Sequence, residues 1–274
     1  MKMAVFHLQD QTCEAEIARL EKALGQYKIP VSRQKLARVK EKEDWILAVT
    51  DSEEDAVYAR EKNIAVIFYE APGMRCSIAG MDLIVHGFEE IDVEFLQLVY
   101  MRHHGLPWII AETEHLCIRE SVEDDLEAFR HIYQEKGILD YIPDPELEGE
   151  EGRFRFDQYI KNMYRFYNYG IWTVIEKTTG DIIGRAGIEN GEYEGRAILE
   201  LGYLIDRKWQ GRGLGKEAAR ACTEYAEEVL GAHRLYAFIC PDNEASIRLI
   251  AGIGFERIPR LTEEGLSVWK KEMC

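Results

Sequence analysis

Residues 210–216 read Gln210-Gly211-Arg212-Gly213-Leu214-Gly215-Lys216, between an apolar, strand-like run at 197–206 and an amphipathic helical stretch that reaches about residue 230. Few arrangements constrain a fold more. Glycine lets the backbone turn tightly and come close to a ligand. A helix starting immediately afterwards presents its first N–H groups, and the positive end of its dipole, to any anion in the turn. The surroundings narrow the choice of ligand. A dinucleotide fingerprint needs an acidic ribose partner at the end of a second strand roughly 20 residues on, and there the chain reads Leu235-Tyr236-Ala237-Phe238-Ile239-Cys240. A nucleoside-triphosphate loop needs Gly-Lys-Ser/Thr closing a longer glycine frame, whereas Lys216 is followed by Glu217.

The wider pattern has a different likeness. The strand Leu201-Gly202-Tyr203-Leu204-Ile205-Asp206 leads into Gln210-x-x-Gly213-x-Gly215, then a helix, a strand, Asn243-Glu244-Ala245-Ser246 and Gly254-Phe255. Upstream, Thr179-Gly180-Asp181 separates Trp172-Thr173-Val174-Ile175 from Ile182-Ile183-Gly184. Together these resemble the GNAT superfamily of CoA-dependent N-acyltransferases over residues 115–274. The phrasing Glu200-Leu201-Gly202-Tyr203 is nearest to the branch containing the ribosomal-protein N-terminal acetyltransferases.

The resemblance implies an α+β fold with a mixed sheet, acetyl-CoA as co-substrate, and direct acetyl transfer to a primary amine. It also implies that the backbone of Leu204 and Ile205 pairs with the pantetheine arm. Arg207, Gln210, Gly211, Arg212, Gly213, Leu214, Gly215 and Lys216 would meet the CoA phosphates, and Asn243 and Ser246 would lie toward the sulfur end. A primary amine with a pKa near about 10 is almost wholly protonated at neutral pH, so direct attack calls for a base. Glu200 is the candidate. Strand alternation sets Leu199, Leu201 and Tyr203 on one face and Glu200 on the other, so a catalytic Glu200 invokes the strand irregularity common in the family. The tyrosine that many members place four residues after the Ser of Asn-x-x-Ser is Ile250 here. That leaves water or Tyr203 to protonate the thiolate, and keeps open a second reading, a non-catalytic acetyl-CoA sensor.

Residues 1–110 have another texture. Strand-like runs at 45–50, 64–69 and 83–85 alternate with helical stretches at 14–27, 52–62 and 92–104, the βαβ rhythm of a small parallel-sheet, Rossmann-like domain. Gly105-Leu106-Pro107-Trp108 interrupts the last helix, glycine closing it and proline preventing its continuation. The expected domains are therefore 1–110 and 111–274, giving an α/β chain overall. The runs at 47–56, 63–67 and 79–85 resemble the C-terminal half of haloacid-dehalogenase-like phosphatases. Residues 1–44 lack the Asp-x-Asp those enzymes need, so an aspartyl-phosphate route is not expected. Asp51, Ser52 and Asp55 fit either a ligand at a strand end or a capped helix start. A module used for packing, homodimer formation or regulation is the expectation.

The net charge of −16 argues against nucleic acid as a partner, since phosphate neutralisation needs a basic face. Residues 120–157 hold 13 acidic and four basic side chains. They read either as a solvated, well-capped helix or as an entrance that attracts a cationic acceptor; Glu146, Glu148, Glu150 and Glu151 are read as loop acids without a capping role. Phe154, Phe156, Tyr159, Met163, Phe166 and Tyr167 have helical spacing, which predicts that most face a core. No run of 18 apolar residues suggests a membrane span. Six scattered cysteines without a C-x-x-C pair suggest neither a zinc site nor a disulfide framework, and the N-terminus is too short in apolar residues for a signal peptide. A cytoplasmic protein with free thiols and no metal is the expectation.

Overall fold

The computed structural model describes residues 1–75, 77, 79–142 and 145–273. Cys76, Cys274 and the Pro143-Asp144 pair within the acidic run lie outside the described residues. Two compact units divide the chain, residues 1–108 and 109–274.

In the first unit, strands β1 (Met3–His7), β2 (Val31–Ser32), β3 (Ile46–Thr50), β4 (Ala65–Tyr69) and β5 (Leu83–Val85) run parallel in the order β2-β1-β3-β4-β5. Helices α1 (Glu14–Gln26) and α2 (Glu53–Glu61) make crossovers, from β1 to β2 and from β3 to β4, and α3 (Val93–His103) follows the last strand. Every residue of β3 and β4 is buried, as an unbroken apolar run requires when helices cover both faces. Alternate side chains serve separate cores: Phe6, Leu47, Val49 and Ile67 join α1 and α3, while Val5, Ala48 and Val66 join Ala59 of α2.

The strand order reverses between β1 and β3, where open α/β sheets commonly take ligands. Here Asp51, buried, accepts the N–H groups of Gln9 and Asp10 at 2.9 and 2.8 Å. Ser52 caps α2, its hydroxyl accepting the Asp55 N–H. The Asp55 Oδ2 lies 2.6 Å from His7 Nδ1. Of the two readings open for Ser52, capping is the one the geometry displays.

The second unit carries an eight-stranded mixed sheet, order β12-β13-β11-β10-β9-β8-β7-β6. Strands β6 (Ile109–Glu112), β7 (Leu116–Arg119), β8 (Ile171–Glu176), β9 (Ile182–Tyr193) and β10 (Arg196–Ile205) form an antiparallel run. The next strand, β11 (Arg234–Ile239), lies parallel to β10, followed by β13 (Ser267–Glu272) and β12 (Glu256–Leu261) antiparallel. A parallel neighbour requires a crossover, and α6 (Leu214–Glu228) supplies it. Helices α4 (Leu126–Tyr133) and α5 (Gly149–Tyr167) link β7 to β8, and α7 (Glu244–Ala251) follows β11. Trp172, Ala186, Ile188 and Leu201 point to the side of α6. On the other face Phe129 of α4 meets Phe156 of α5 with ring centroids 5.6 Å apart.

The aromatic run of α5 divides more evenly than helical spacing suggested. Phe156, Tyr159, Met163 and Tyr164 turn inward, but Phe154, Phe166 and Tyr167 are exposed, because they fall on the far side of that stripe. The acidic run is also corrected. Helix α5 begins at Gly149, with Glu148 at its N-cap position and Glu150 and Glu151 in the first turn, where the helix dipole favours negative charge. Arg155 pairs with both Glu146 and Glu151.

Candidate active site

The seam between β10 and β11 has one registered pair, Glu200 with Tyr236. Toward the C-terminal ends of the two strands it opens into a cavity of about 690 Å³. Tyr203, Leu204 and Ile205 of β10 line one wall, Gln210, Gly211, Gly213, Gly215 and Lys216 another, and Asn243, Ser246 and Leu249 a third. Residues scattered over some forty positions thus share one space.

Local chemistry builds each wall. Gly211 and Gly213 have φ of +76° and +84°, a region that side chains other than glycine's enter at a cost, and the glycine loop therefore reaches the α6 start in one tight turn. The first three N–H groups of α6, from Leu214, Gly215 and Lys216, have no helical acceptor; the ladder starts with Glu217 N–H to Gly213 C=O at 3.1 Å. A Cβ on Gly215 would lie 3.2 Å from Leu249 and 3.3 Å from Ile205, so that glycine permits close packing of α6 on β10 and α7. Asn243 caps α7, its Oδ1 accepting the Ser246 N–H at 3.1 Å. The Ser246 hydroxyl lies 2.5 Å from the Tyr203 hydroxyl. Burial pushes the Tyr203 phenol up to about 12.

Three of the expected cofactor contacts are not on this wall. Leu214 is buried in the core, where the first apolar residue of an amphipathic helix belongs. The Arg212 guanidinium lies over the Trp209 ring at 4.7 Å. Arg207 donates to the Lys136 carbonyl at 3.0 Å. The backbone expectation changes as well. Asp206 N–H donates to the Ile183 C=O, so by alternation the backbone of Leu204 is committed to β9. The Ile205 C=O accepts from the Gln210 side chain at 2.8 Å. This leaves the Ile205 N–H and the backbone of Tyr203 facing the seam.

No irregularity intervenes at Glu200: β9 and β10 keep one register through ten pairs. Glu200 consequently faces away from Leu201 and Tyr203, on the α5 side of the sheet, directly opposite Glu189 of β9. It is half-buried, and burial first, then the neighbouring Glu189 charge, raise its carboxyl to about 7. Tyr159 donates to Glu189 at 3.3 Å and accepts the Ile171 N–H at 2.6 Å. Arg185, on the same face, lies 4.8 Å from the Phe129 ring. Glu189 and Arg185 were missed in the sequence, since each enters through pairing or packing with residues distant along the chain, and Tyr159 was read only as one of a run of helical aromatics. Ile250 is fully buried, and Cys240, half-buried, is a free thiol.

A sequence profile of the acetyltransferase (GNAT) domain matches residues 115–256, which takes in α4 through α7, the glycine loop and both strands of the seam. The chain belongs to the GNAT acetyltransferase family. It is accordingly an acetyl-CoA-dependent N-acyltransferase, and the free amides, the cavity and Lys216 suit a phosphate-bearing thioester. An uncharacterized Bacillus subtilis protein is 32% identical over 39% of this chain and 63% of its own length. The Escherichia coli [ribosomal protein uS5]-alanine N-acetyltransferase is 36% identical over 37% of the chain, which spans half of that enzyme. The Bacillus subtilis spermine/spermidine N(1)-acetyltransferase is 32% identical over 57% of the chain and 97% of its own length. A ribosomal L7/L12 alpha-N-protein acetyltransferase solved with coenzyme A shares the fold at a TM-score of 0.53 and 16% identity, over 61% of this chain and 98% of the other. Among the described residues, no helix is long and apolar enough to cross a membrane and no cluster of side chains is arranged to hold a metal.

Proposed function

We propose that this GNAT unit acetylates a cationic primary amine by direct transfer, with Glu200 as the base. The single observation that carries the reading is the Glu200 carboxyl, half-buried beside Glu189 and held near about 7, where a base serves best at neutral pH. The pyrophosphate of acetyl-CoA would lie against the α6 amides and Lys216. The thioester arm would follow the seam past Tyr203, with Asn243 and Ser246 near its sulfur. No covalent enzyme intermediate is needed: the nitrogen lone pair forms the C–N bond as the C–S bond breaks. Tyr203, protonated at neutral pH and bonded to Ser246, is placed to offer a hydrogen bond to the leaving thiolate, and water completes its protonation.

The proton gap bears on the acceptor. An α-amino group, with a pKa near about 8, lies roughly one unit above Glu200, whereas a lysine or polyamine amine lies more than about three units above. At about 1.4 kcal/mol per unit the α-amine is the less costly acceptor to deprotonate. This favours a peptide or protein N-terminus, the acceptor class in the name of the E. coli relative, over the polyamines in the name of the Bacillus one. Screening peptides, polyamines, aminoglycosides and amino acids for acetyl-CoA-dependent release of CoA tests the reading. Tight acetyl-CoA binding without turnover of any amine would favour the sensor role, for which Ile250 in the tyrosine position speaks.

The sequence of the first unit resembles in part the C-terminal half of haloacid-dehalogenase-like phosphatases and lacks their nucleophile, and Asp51 already binds loop amides. We therefore assign it packing, dimerisation or regulation rather than phosphoryl transfer. The free thiols Cys13, Cys117, Cys222 and Cys240 fit a cytoplasmic setting.

A further inference from the structure

Glu189 and Glu200 occupy directly opposed positions on adjacent antiparallel strands, where like charges repel. Among the described residues no lysine, arginine or histidine pairs with either carboxylate. Gly187, Gly191 and Gly202 share this face of the sheet by alternation, so around the two acids the floor is backbone; a Cβ on Gly191 would lie 3.3 Å from Glu200 Oε2. The groups facing the pair are few. From α5 comes the Tyr159 hydroxyl, which donates to Glu189. From β11 comes Tyr236, whose ring is 5.6 Å from that of Tyr193 and whose hydroxyl receives a long bond from Arg234, itself paired with Glu272. Arg185, four residues along β9 on the same face, lies over the rings of Phe129, Phe156 and Tyr159 at 4.8, 6.0 and 5.7 Å. Two acids with aromatic flanks, neither in an ion pair, make a receptor for an external cation.

We propose that Glu189 and Glu200 form a carboxylate pair that receives the acceptor's ammonium group, Glu189 holding the cation while Glu200 takes its proton. The inference rests on Glu200 being the base, and assigns recognition of the charged amine to a residue that takes no part in the proton transfer. The nitrogen loses two protons in all. One passes to Glu200 and on to solvent; the other, released once the amide bond has formed, balances the thiolate that becomes CoA thiol. Glu189 accepts neither proton, and Tyr159 fixes its orientation.

The test uses the full chain with Glu189→Gln, Glu189→Asp and Glu200→Gln, and three acceptors at pH 8: an alanine-terminated peptide, spermidine, and methoxyamine, which is uncharged there. Glu189→Gln should raise KM for the two ammonium acceptors about tenfold or more, leave KM for methoxyamine within about twofold, and leave acetyl-CoA affinity unchanged. Glu189→Asp should restore most of the loss. Followed without turnover by ¹³C NMR, the Glu200 carboxyl should titrate at lower pH in Glu189→Gln, because a like charge is gone. It should stay above the ordinary carboxylate range, because burial, the larger cause, remains. A folded Glu189→Gln with unchanged KM values and an unchanged Glu200 midpoint overturns the pair. Full activity in Glu200→Gln overturns the base assignment instead, so the two failures are separable.

Discussion

Replacing Glu200 by Gln should make the protein slower and, above neutral pH, more stable. The carboxyl is raised from an ordinary 4.5 to about 7, so between those values the folded state holds a proton that the unfolded state has released. Stability therefore falls as pH rises through this window, and the loss is complete above about pH 7. At 1.36 kcal/mol per unit the full penalty is about 3 kcal/mol. Gln never ionises and escapes it. The variant should match wild type near pH 4.5 and gain up to about 3 kcal/mol at pH 8. For a unit of this size that corresponds to roughly 6–12 °C in Tm. Catalysis moves the other way. The ionised fraction of a base near 7 drops about tenfold between pH 8 and pH 6. The ratio of wild-type to variant kcat/KM should fall by the same factor, since the acceptor's own titration is common to both and cancels. Tm measured against pH, paired with initial rates over the same range, reads both arms. A pH-independent rate ratio would remove Glu200 from proton transfer. The absence of any stability gain at pH 8 would mean that the carboxyl is neither desolvated nor crowded by Glu189.

Gly213→Val should weaken acetyl-CoA binding by well over about tenfold with the fold kept, because a β-branched residue at φ +84° displaces the loop that leads into the α6 amides; calorimetry showing unchanged affinity would detach the loop from the cofactor. Tyr203→Phe removes the hydroxyl bonded to Ser246 and should lower kcat about three- to tenfold with little change in acetyl-CoA affinity, and a kcat equal to wild type would leave thiolate protonation to water alone. A fragment of residues 109–274 should stay folded and bind acetyl-CoA, since that unit has its own cores; circular dichroism and calorimetry check this, and an insoluble fragment would show that it depends on the first unit.

The glycine loop was legible because its chemistry is local. A turn needing positive φ and a helix start needing free amides both leave residue types in a row. Strands β3 and β4 were legible for a similar reason, as unbroken apolar runs. The two-residue β2 carries no such pattern; β1, Met3-Ala4-Val5-Phe6, carries it, but its stretch was weighed only as a signal peptide. Glu200 was visible, and alternation already gave its direction; what it would face was not. A departure from alternation was invoked to make it useful, whereas regular pairing takes it to the face where Glu189 waits. Nothing near residue 189 announces that it will face residue 200, since the register of a long hairpin is set by turn geometry and burial along its length. For Arg207 and Arg212 the sequence showed the charge and not the neighbours, a backbone carbonyl for the first and the Trp209 ring for the second. The acids of α5 were misassigned because the helix start lay a turn earlier than the sequence suggested.

Asp51 has a consequence for the first unit. The amides of Gln9 and Asp10, at the place where sheets of this order receive an anion, are already bound to one that is tethered to the chain. A tethered group competes at an effective concentration of millimolar or more at all times, and it need not diffuse, so a dissolved phosphate must outbid a neighbour that never leaves. The loop is in this sense permanently liganded. Cutting Asp51 back to Gly should expose the two amides and turn a self-satisfied fold into a receptor that formate or phosphate could refill.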